Sequence, residues 1–490
     1  MYTLKDIKLG ENDAKREVVV LANFDEFFYD HNEISEKIME PHIFTVLGKK
    51  GTGKTLLAEL LKKKASECHN WFCKLESYKK FSLTELQNFK NGEISSEEYI
   101  PIWKWIILIE LAKLILKNIS LEYNSKYKIL SDFFGKNGLT PELDSFKTIN
   151  ITKENNFAAS LKCLTGGKNT KSVQERSSYI DLIEPLEDII VSILENTDGK
   201  YTILFDELDD KFDGSTTYSN SIVCLLKVAD ELNFSFYEKN IDAKTIIFLR
   251  KDIFKKLEYA DLNKIVEGSS IILDWGNREQ ESSPLLQLIT KKIKVSIEEL
   301  KNCSHEEILR KVFKGPAMQI SSKTRVSIPN YILSRTLLRP RDVVNFINKI
   351  KSKNRDERYI TPKMVAEAES NYSDYLKNEI LDELVGHIDR GSALDFFTLL
   401  KNMKKSEFTF QELNTYYKEH KRNYKKLDIE KILRSMYLVG AIGSKYKIKT
   451  KKSVKSKFHF SWSYKEDESY LNLEHIFCIH NGLKKTLSLL

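Results

Sequence analysis

Residues 48–55 read Gly48-Lys49-Lys50-Gly51-Thr52-Gly53-Lys54-Thr55, a full match to the pattern GxxxxGK[ST]. Those residue types at that spacing can cage a triphosphate. Glycine lets backbone amides curl around a β-phosphate with no Cβ in the way, and Lys54 can reach the β- and γ-phosphates. Thr55 can offer its hydroxyl to Mg2+. A second set is Asp206-Glu207, which closes the apolar run 201–205. Asp206 there would hold the magnesium shell, and Glu207 could polarise an attacking water, which points to hydrolysis and not to binding alone. Arg250 ends another apolar run, 245–249, where it could read a γ-phosphate or simply pair with Asp252. Finally, Arg339 and Arg341 flank Pro340. Proline favours the first helical position, and a cation in the first turn opposes the helix dipole, so Arg341 calls for an anion such as ATP.

The elements that must position these groups follow from the pattern around them. Residues 43–47 are a short β-branched and aromatic run, and Leu56 begins a stretch of strong helix formers, so the glycine loop joins a strand to a helix N-terminus. The unpaired N–H groups and dipole of that terminus attract phosphate oxygens. Leu56 therefore belongs to the binding segment. Runs 201–205, 245–250 and 271–275 read as further buried strands of an α/β sheet.

The segments GKKGTGKT, FDELDD, FLRKDIF, LRPRDVVNFI and AESNYSDYLKNEILDEL, in that order, resemble the bacterial P-loop ATPases of the STAND, KAP and Orc/Cdc6-like branches of the AAA+ group. The resemblance implies an ASCE-type core with strand order 5-1-4-3-2, in which the strand ending at Arg250 lies between the two Walker strands. It makes Arg250 similar to a first sensor residue, and Arg341, with Arg339 beside it, similar to a second sensor in a helical lid. Relatives of this kind occur in antiviral and mobile-element loci, so a defence or DNA-associated role is implied as context. One departure stands out: Lys54 and Asp206 are 152 positions apart. A stretch that long does not stay an unstructured loop, so a helical insertion is expected. The expected division is a P-loop ATPase core over 1–79 and 196–278, a helical insertion over 80–195, a helical lid over 279–385 and a winged-helix-like domain over 386–490.

Composition bounds the rest. The 490 residues carry a net charge of only +8 and six cysteines without CxxC pairing, and no zinc-ligand spacing joins the nine histidines to them. Free thiols are expected, as is a cytoplasmic location, since nothing at the start reads as a secretory signal. The most apolar stretch, 102–119, contains Lys104, Glu110, Lys113 and Lys117, which favours a buried helix over a membrane span. Residues 166–172 are glycine-rich and polar, an exposed loop.

In the C-terminal region, helical segments from Phe410 and Ile429 precede alternating runs 446–448 and 458–462, a hairpin. Lysines 445, 447, 449, 451, 452, 455 and 457 (Lys445, Lys447, Lys449, Lys451, Lys452, Lys455, Lys457) occur there with no acidic residue between them. This basic wing could neutralise phosphates of double-stranded DNA, or could be solvated charge. His475, Cys478 and His480 lie in an apolar stretch better suited to a packed closing strand than to a metal. Two functions remain open: an ATPase whose hydrolysis drives action on DNA, and a slow ATP-dependent switch that regulates a separate effector protein encoded nearby. A homo-oligomer is compatible with either.

Overall fold

Runs of Ile, Leu, Phe and Val that are apolar at every position make strands that must be covered on both faces, which is the signature of a parallel sheet. The computed structural model describes residues 2–489 apart from 12, 22, 78–97, 141–142, 146, 150–163, 165–178, 209–211, 213, 258–266, 322–323, 425, 449–456 and 467–469. The described residues hold five strands of such a sheet, the central ones carrying these runs: β1 (Thr45–Gly48), β2 (Trp71–Ser77), β3 (Lys200–Asp206), β4 (Ala243–Arg250) and β5 (Ser270–Leu273). They form one all-parallel sheet in the order β2-β3-β4-β1-β5. The order implied by the resemblance is therefore the order observed. β1 and β4 are buried throughout and β3 nearly so, whereas β2 is half-buried at every residue, as befits an edge.

This sheet belongs to a compact unit made of Asn32–Lys49 and Lys54–Leu273. Helices Lys54–Ser66, Tyr99–Leu116, Tyr179–Leu194 and Thr216–Glu238 pack on the strands and on one another around a single hydrophobic core. The Tyr99–Leu116 helix is the buried helix expected from its interspersed charges. Trp103 and Trp105 are fully buried, with indole N–H groups donating to Ser221 (3.2 Å) and Thr148 (2.9 Å). Lys113 Nζ donates to Glu110 (2.8 Å) and Ser145 (2.8 Å), and Lys74 of β2 also pairs with Glu110. Thus the one carboxylate inside the helix is neutralised by lysines from the helix and from the sheet edge. Among the described residues, no helix is long and apolar enough to cross a membrane. Within 80–195, the described residues include helices Tyr99–Leu116, Ser125–Lys136 and Tyr179–Leu194, which contribute to the same hydrophobic core as the sheet. The loop expected at 166–172 lies outside the described residues.

The second unit comprises Met1–His31, Lys50–Gly53 and Asp274–Leu490. After the short helices Ala14–Val20 and Phe24–Phe27 come helices Pro284–Ser296, His305–Val312, Ile328–Ser334, Pro340–Lys353 and Pro362–Glu383, with a small hairpin of β6 (Met318–Ser321) and β7 (Thr324–Val326). Phe346 stacks on Tyr372 with centroids 4.3 Å apart, joining the Pro340 and Pro362 helices. Next come helix Arg390–Met403, β8 (Glu407–Phe408), helices Phe410–Glu419 and Ile429–Leu438, then β9 (Ile442–Ile448), β10 (Lys457–Ser461) and β11 (Ile476–Ile479). These four strands form an antiparallel sheet ordered β10-β9-β11-β8. β11 is the expected closing strand. His480 beyond it bonds Tyr464 (3.1 Å), and burial pushes its pKa down to about 3. Leu4, Ile7 and Leu9 sit in this unit's core, anchored by backbone bonds from Leu4 to Glu357 and from Lys5 to Arg355. The N-terminal residues, expected with the nucleotide core, pack here instead, because three apolar side chains find their cover among the helices that follow residue 274.

Candidate functional site

β1 runs fully buried to Gly48, and the Lys54–Ser66 helix begins six residues later, so the strand–loop–helix is formed as its sequence dictates. Gly51 (φ 79°) and Gly53 (φ 100°) both occupy the left-handed region, where a Cβ is strained. A Cβ on Gly51 would also lie 3.3 Å from Arg341 Cβ, whereas at Gly53 it would meet nothing within 4 Å, so the loop is open on that side. Lys54 is 8% exposed, and its Nζ donates to the carbonyls of Gly48 (3.0 Å) and Lys49 (3.1 Å). The ammonium is thereby folded into the curl of the loop. Thr55 and Leu56 are half-buried in the first helical turn. Thr52 is buried, and its carbonyl accepts the Trp275 indole N–H at 2.9 Å; Tyr29 and His31 lie against that indole.

The acidic pair follows at the end of β3. Asp206 is 3% exposed and stands in register with Ser77, the last residue of β2. Glu207 has φ 61°, a left-handed conformation that costs a non-glycine residue about 1–3 kcal/mol, persists only where the surrounding structure holds it, and clusters at functional sites. Its Oε2 accepts a hydrogen bond from Ser77 Oγ. Ser77 was not singled out from sequence. The apolar–polar alternation Cys73-Lys74-Leu75-Glu76 marks its strand, but only the parallel register brings residue 77 beside residues 206–207.

Arg250 closes β4 in register with Gly48, one strand from β1 and one from β3. Both expected readings of it have a structural counterpart. It stands at the phosphate-loop end of the sheet, and its guanidinium makes a two-point pair with Asp252, Nε to Oδ1 at 3.0 Å and Nη2 to Oδ2 at 2.6 Å. The pair is partly buried, with side chains 10% and 20% exposed, so this is no loose surface pair.

The arginines around Pro340 take different roles. Leu338 has φ 53°, a bulky residue in the left-handed region, and Arg339 is the N-cap of the Pro340–Lys353 helix. Arg339 is buried, with Nε and Nη2 on Asp342 (2.9 and 3.1 Å) and Nη1 on Glu383. Burial opposes its charge, but Asp342 and Glu383 outweigh burial and raise its pKa above the ordinary value. Arg341 is in the first turn as expected. Its backbone N–H donates to the Gly51 carbonyl at 3.4 Å, and its Nη1 meets Glu379 Oε2 at 3.4 Å. Lys50 reaches the same Glu379 oxygen at 3.6 Å. Glu379 thus supplies the anion that a cation at a helix N-terminus calls for. Sequence reasoning missed it, as it missed Trp275 and Glu383, because each lies far along the chain from its partner.

Thr55 and Asp206 are the residues that fit Mg2+. Both offer hard oxygen donors, and Mg2+ takes one or two protein oxygens plus phosphate and water oxygens, so no preformed cage is required. Among the described residues no group of three or more His, Cys, Asp or Glu side chains is placed to hold a metal.

A glycine loop between β1 and its helix, an acidic pair on β3, and a parallel sheet flanked by helices make this a P-loop nucleoside triphosphatase fold. Residues 283–381 match the family described as FunZ-associated C-terminal helical domain. Over 252 residues, 51% of this chain, the sequence is 27% identical to an Escherichia coli (strain K12) protein named "Putative transposon gamma-delta 80.3 kDa protein". The match spans about a third of that relative's length (32%). Among solved structures, the chain is similar to the Aeropyrum pernix Orc1 protein in complex with DNA, at TM-score 0.34 and 11% identity over 95% of this chain and 92% of that one. It is similar also to Cdc6p from Pyrobaculum aerophilum, at TM-score 0.30 and 10% identity over 96% and 97%.

Proposed function

We propose that the chain is a Mg2+-dependent ATPase of the AAA+ division, with nucleotide state coupled to conformational change. The observation that carries this reading is the sheet order. With β4 alone between β1 and β3, and all strands parallel, the phosphate loop and the acidic pair leave the sheet at the same end. Residues 48–56 bind the triphosphate through backbone amides and Lys54, which exchanges its two carbonyl partners for phosphate oxygens. Thr55 and Asp206 hold the metal, which when bound neutralises phosphate charge. Glu207 orients and deprotonates the attacking water; its strained backbone is what supports a catalytic role over a structural one. Arg250, released in part from Asp252, contacts the γ-phosphate. Arg341 does the same by exchanging Glu379 for phosphate, while Arg339 holds the helix start in place.

The test is a pair of variants. Lys54→Ala is expected to abolish ATP binding and turnover together. Glu207→Gln is expected to keep binding and lose turnover by about a hundredfold or more, the usual worth of a general base. Wild-type turnover in Glu207→Gln would overturn the assignment.

The C-terminal order helix Arg390–Met403, β8, two helices, β9 and β10 supports a winged-helix reading, with the β9–β10 hairpin as wing. DNA is the partner we assign to it, through Lys445, Lys447 and the further lysines up to Lys457; residues 449–456 lie outside the described ones. The name of the E. coli relative places that protein on a transposon, in keeping with a DNA-associated process. Salt-dependent stimulation of turnover by DNA separates this reading from the effector-regulating switch, which predicts a flat response.

A further inference from the structure

Phe458 and Phe460 stand on β10, the outermost strand of its sheet, with 43% and 48% of their surfaces exposed. Large rings left open on an edge strand invite aggregation, so their exposure needs a reason beyond folding. The register pairs Phe458 with Lys447 and Phe460 with Lys445, so these four side chains share one face of the hairpin, while Tyr446 and His459 share the other. Lys445 Nζ lies 4.8 Å from the Phe458 ring centroid and 5.5 Å from that of Phe460, and Lys447 Nζ lies 5.8 Å from Phe458. Lys445 also pairs with Glu407 at 2.7 Å; Lys447 is exposed. The aromatic row continues to half-buried Trp462, which lies so close over Gly443 that a Cβ there would sit 2.6 Å from the indole. Alternate residues on a strand are about 7 Å apart, so the row spaces its rings too widely for bases in a continuous stack.

We infer that this face binds single-stranded nucleic acid, with unpaired bases stacking on Phe458 and Phe460 and backbone phosphates meeting Lys445 and Lys447. A duplex keeps its bases paired inside and offers groove edges and phosphates, from which flat exposed rings gain nothing. An apolar protein surface would suit the rings but not the hairpin's charge, since residues 445–457 hold seven lysines and no acid. The inference rests on the nucleic-acid reading of this hairpin, with which it shares Lys445 and Lys447 and to which it adds the exposed rings, and it is independent of the ATPase site.

The test is fluorescence anisotropy of the full chain with labelled oligothymidylate, an abasic strand of equal length and a blunt duplex. Oligothymidylate is expected to bind about tenfold or more tighter than the abasic strand, and Phe458→Leu and Phe460→Leu each to lose about tenfold for it alone. Phe460→Tyr, which keeps an aromatic face, retains wild-type affinity, and thermal melts of the Leu variants check that the hairpin is intact. Lys447→Gln lowers the slope of log affinity against log salt by about 0.7, while the Leu variants leave that slope unchanged. Equal binding of the abasic strand, or Leu variants with undiminished affinity, would overturn the inference. Tighter binding of the duplex would overturn it too and leave the DNA reading standing. Absence of binding to all three overturns both. Basal ATP turnover of the Leu variants stays at the wild-type level in every case, which keeps failure of the ATPase reading separate.

Discussion

Replacing Ser77 with alanine should raise ATP turnover. Ser77 Oγ donates to Glu207 Oε2 from the end of β2, and β2 lies on the far side of β3 from β4 and β1. The bond therefore draws the carboxylate toward the sheet edge, away from the strand that carries the phosphate loop. A hydrogen bond to a charged acceptor contributes about 1.5–3 kcal/mol, and the lower end applies here because both residues are only partly buried and water can replace the hydroxyl. At roughly 1.4 kcal/mol per factor of ten, losing it enlarges the population of released Glu207, and so kcat, by about tenfold. KM should stay put, since Lys54 and its loop carbonyls are untouched. A steady-state phosphate-release assay reads both parameters; Ser77→Thr keeps the hydroxyl and serves as the control. A Ser77→Ala enzyme slower than wild type would refute the reasoning, for it would mean that Ser77 supports Glu207 in the reaction.

Other outcomes follow from the same geometry. Asp342→Ala removes the carboxylate that meets two nitrogens of buried Arg339, and breaking a buried pair in this way costs about 3–5 kcal/mol, read as a lower denaturant midpoint; the double change Arg339→Met with Asp342→Leu should cost less than Asp342→Ala alone. Arg341→Ala, whose side chain is 31% exposed, should leave the melting temperature within a few degrees of wild type while weakening nucleotide affinity about tenfold, measured by titration of a fluorescent ATP analogue. Lys244 is buried with Nζ against the carbonyls of Ile38 (2.8 Å) and Glu40 (2.5 Å), and burial, with Lys200 adding to it, pulls its pKa down to about 7. Between that value and the ordinary 10.5 the unfolded chain binds the extra proton, so this group makes stability rise with pH across that window and contributes no slope below it. The stability difference between wild type and Lys244→Met, followed by chemical denaturation from pH 6 to about 10, should therefore grow in favour of wild type only above about 7.

The chemistry that one short segment of chain can express was legible before any fold was known. Gly48 to Leu56 is strand end, loop and helix start in succession, and Asp206-Glu207 closes a strand whose burial shows in its composition, so both were read from neighbours in sequence. The β9–β10 hairpin was legible for the same reason, since Ile448 and Lys457 face each other across a single connection. What escaped is whatever depends on which strands and helices become neighbours. Ser77 meets Glu207 only because β2 pairs with β3 in parallel register, and Glu379 meets Arg341 and Lys50 only because the Pro340 and Pro362 helices pack through Phe346 and Tyr372. Nothing in the residue types near 77 or 379 announces a partner, because serine and glutamate on solvated faces look the same. The arginine pair makes the point most sharply. Arg339 and Arg341 are equivalent in sequence, two cations flanking one proline, yet the turn at left-handed Leu338 and the helix begun by Pro340 send one guanidinium inward to Asp342 and Glu383 and leave the other partly exposed against Glu379. Backbone conformation, and not side-chain type, decides which of the two is buried and which stays partly exposed.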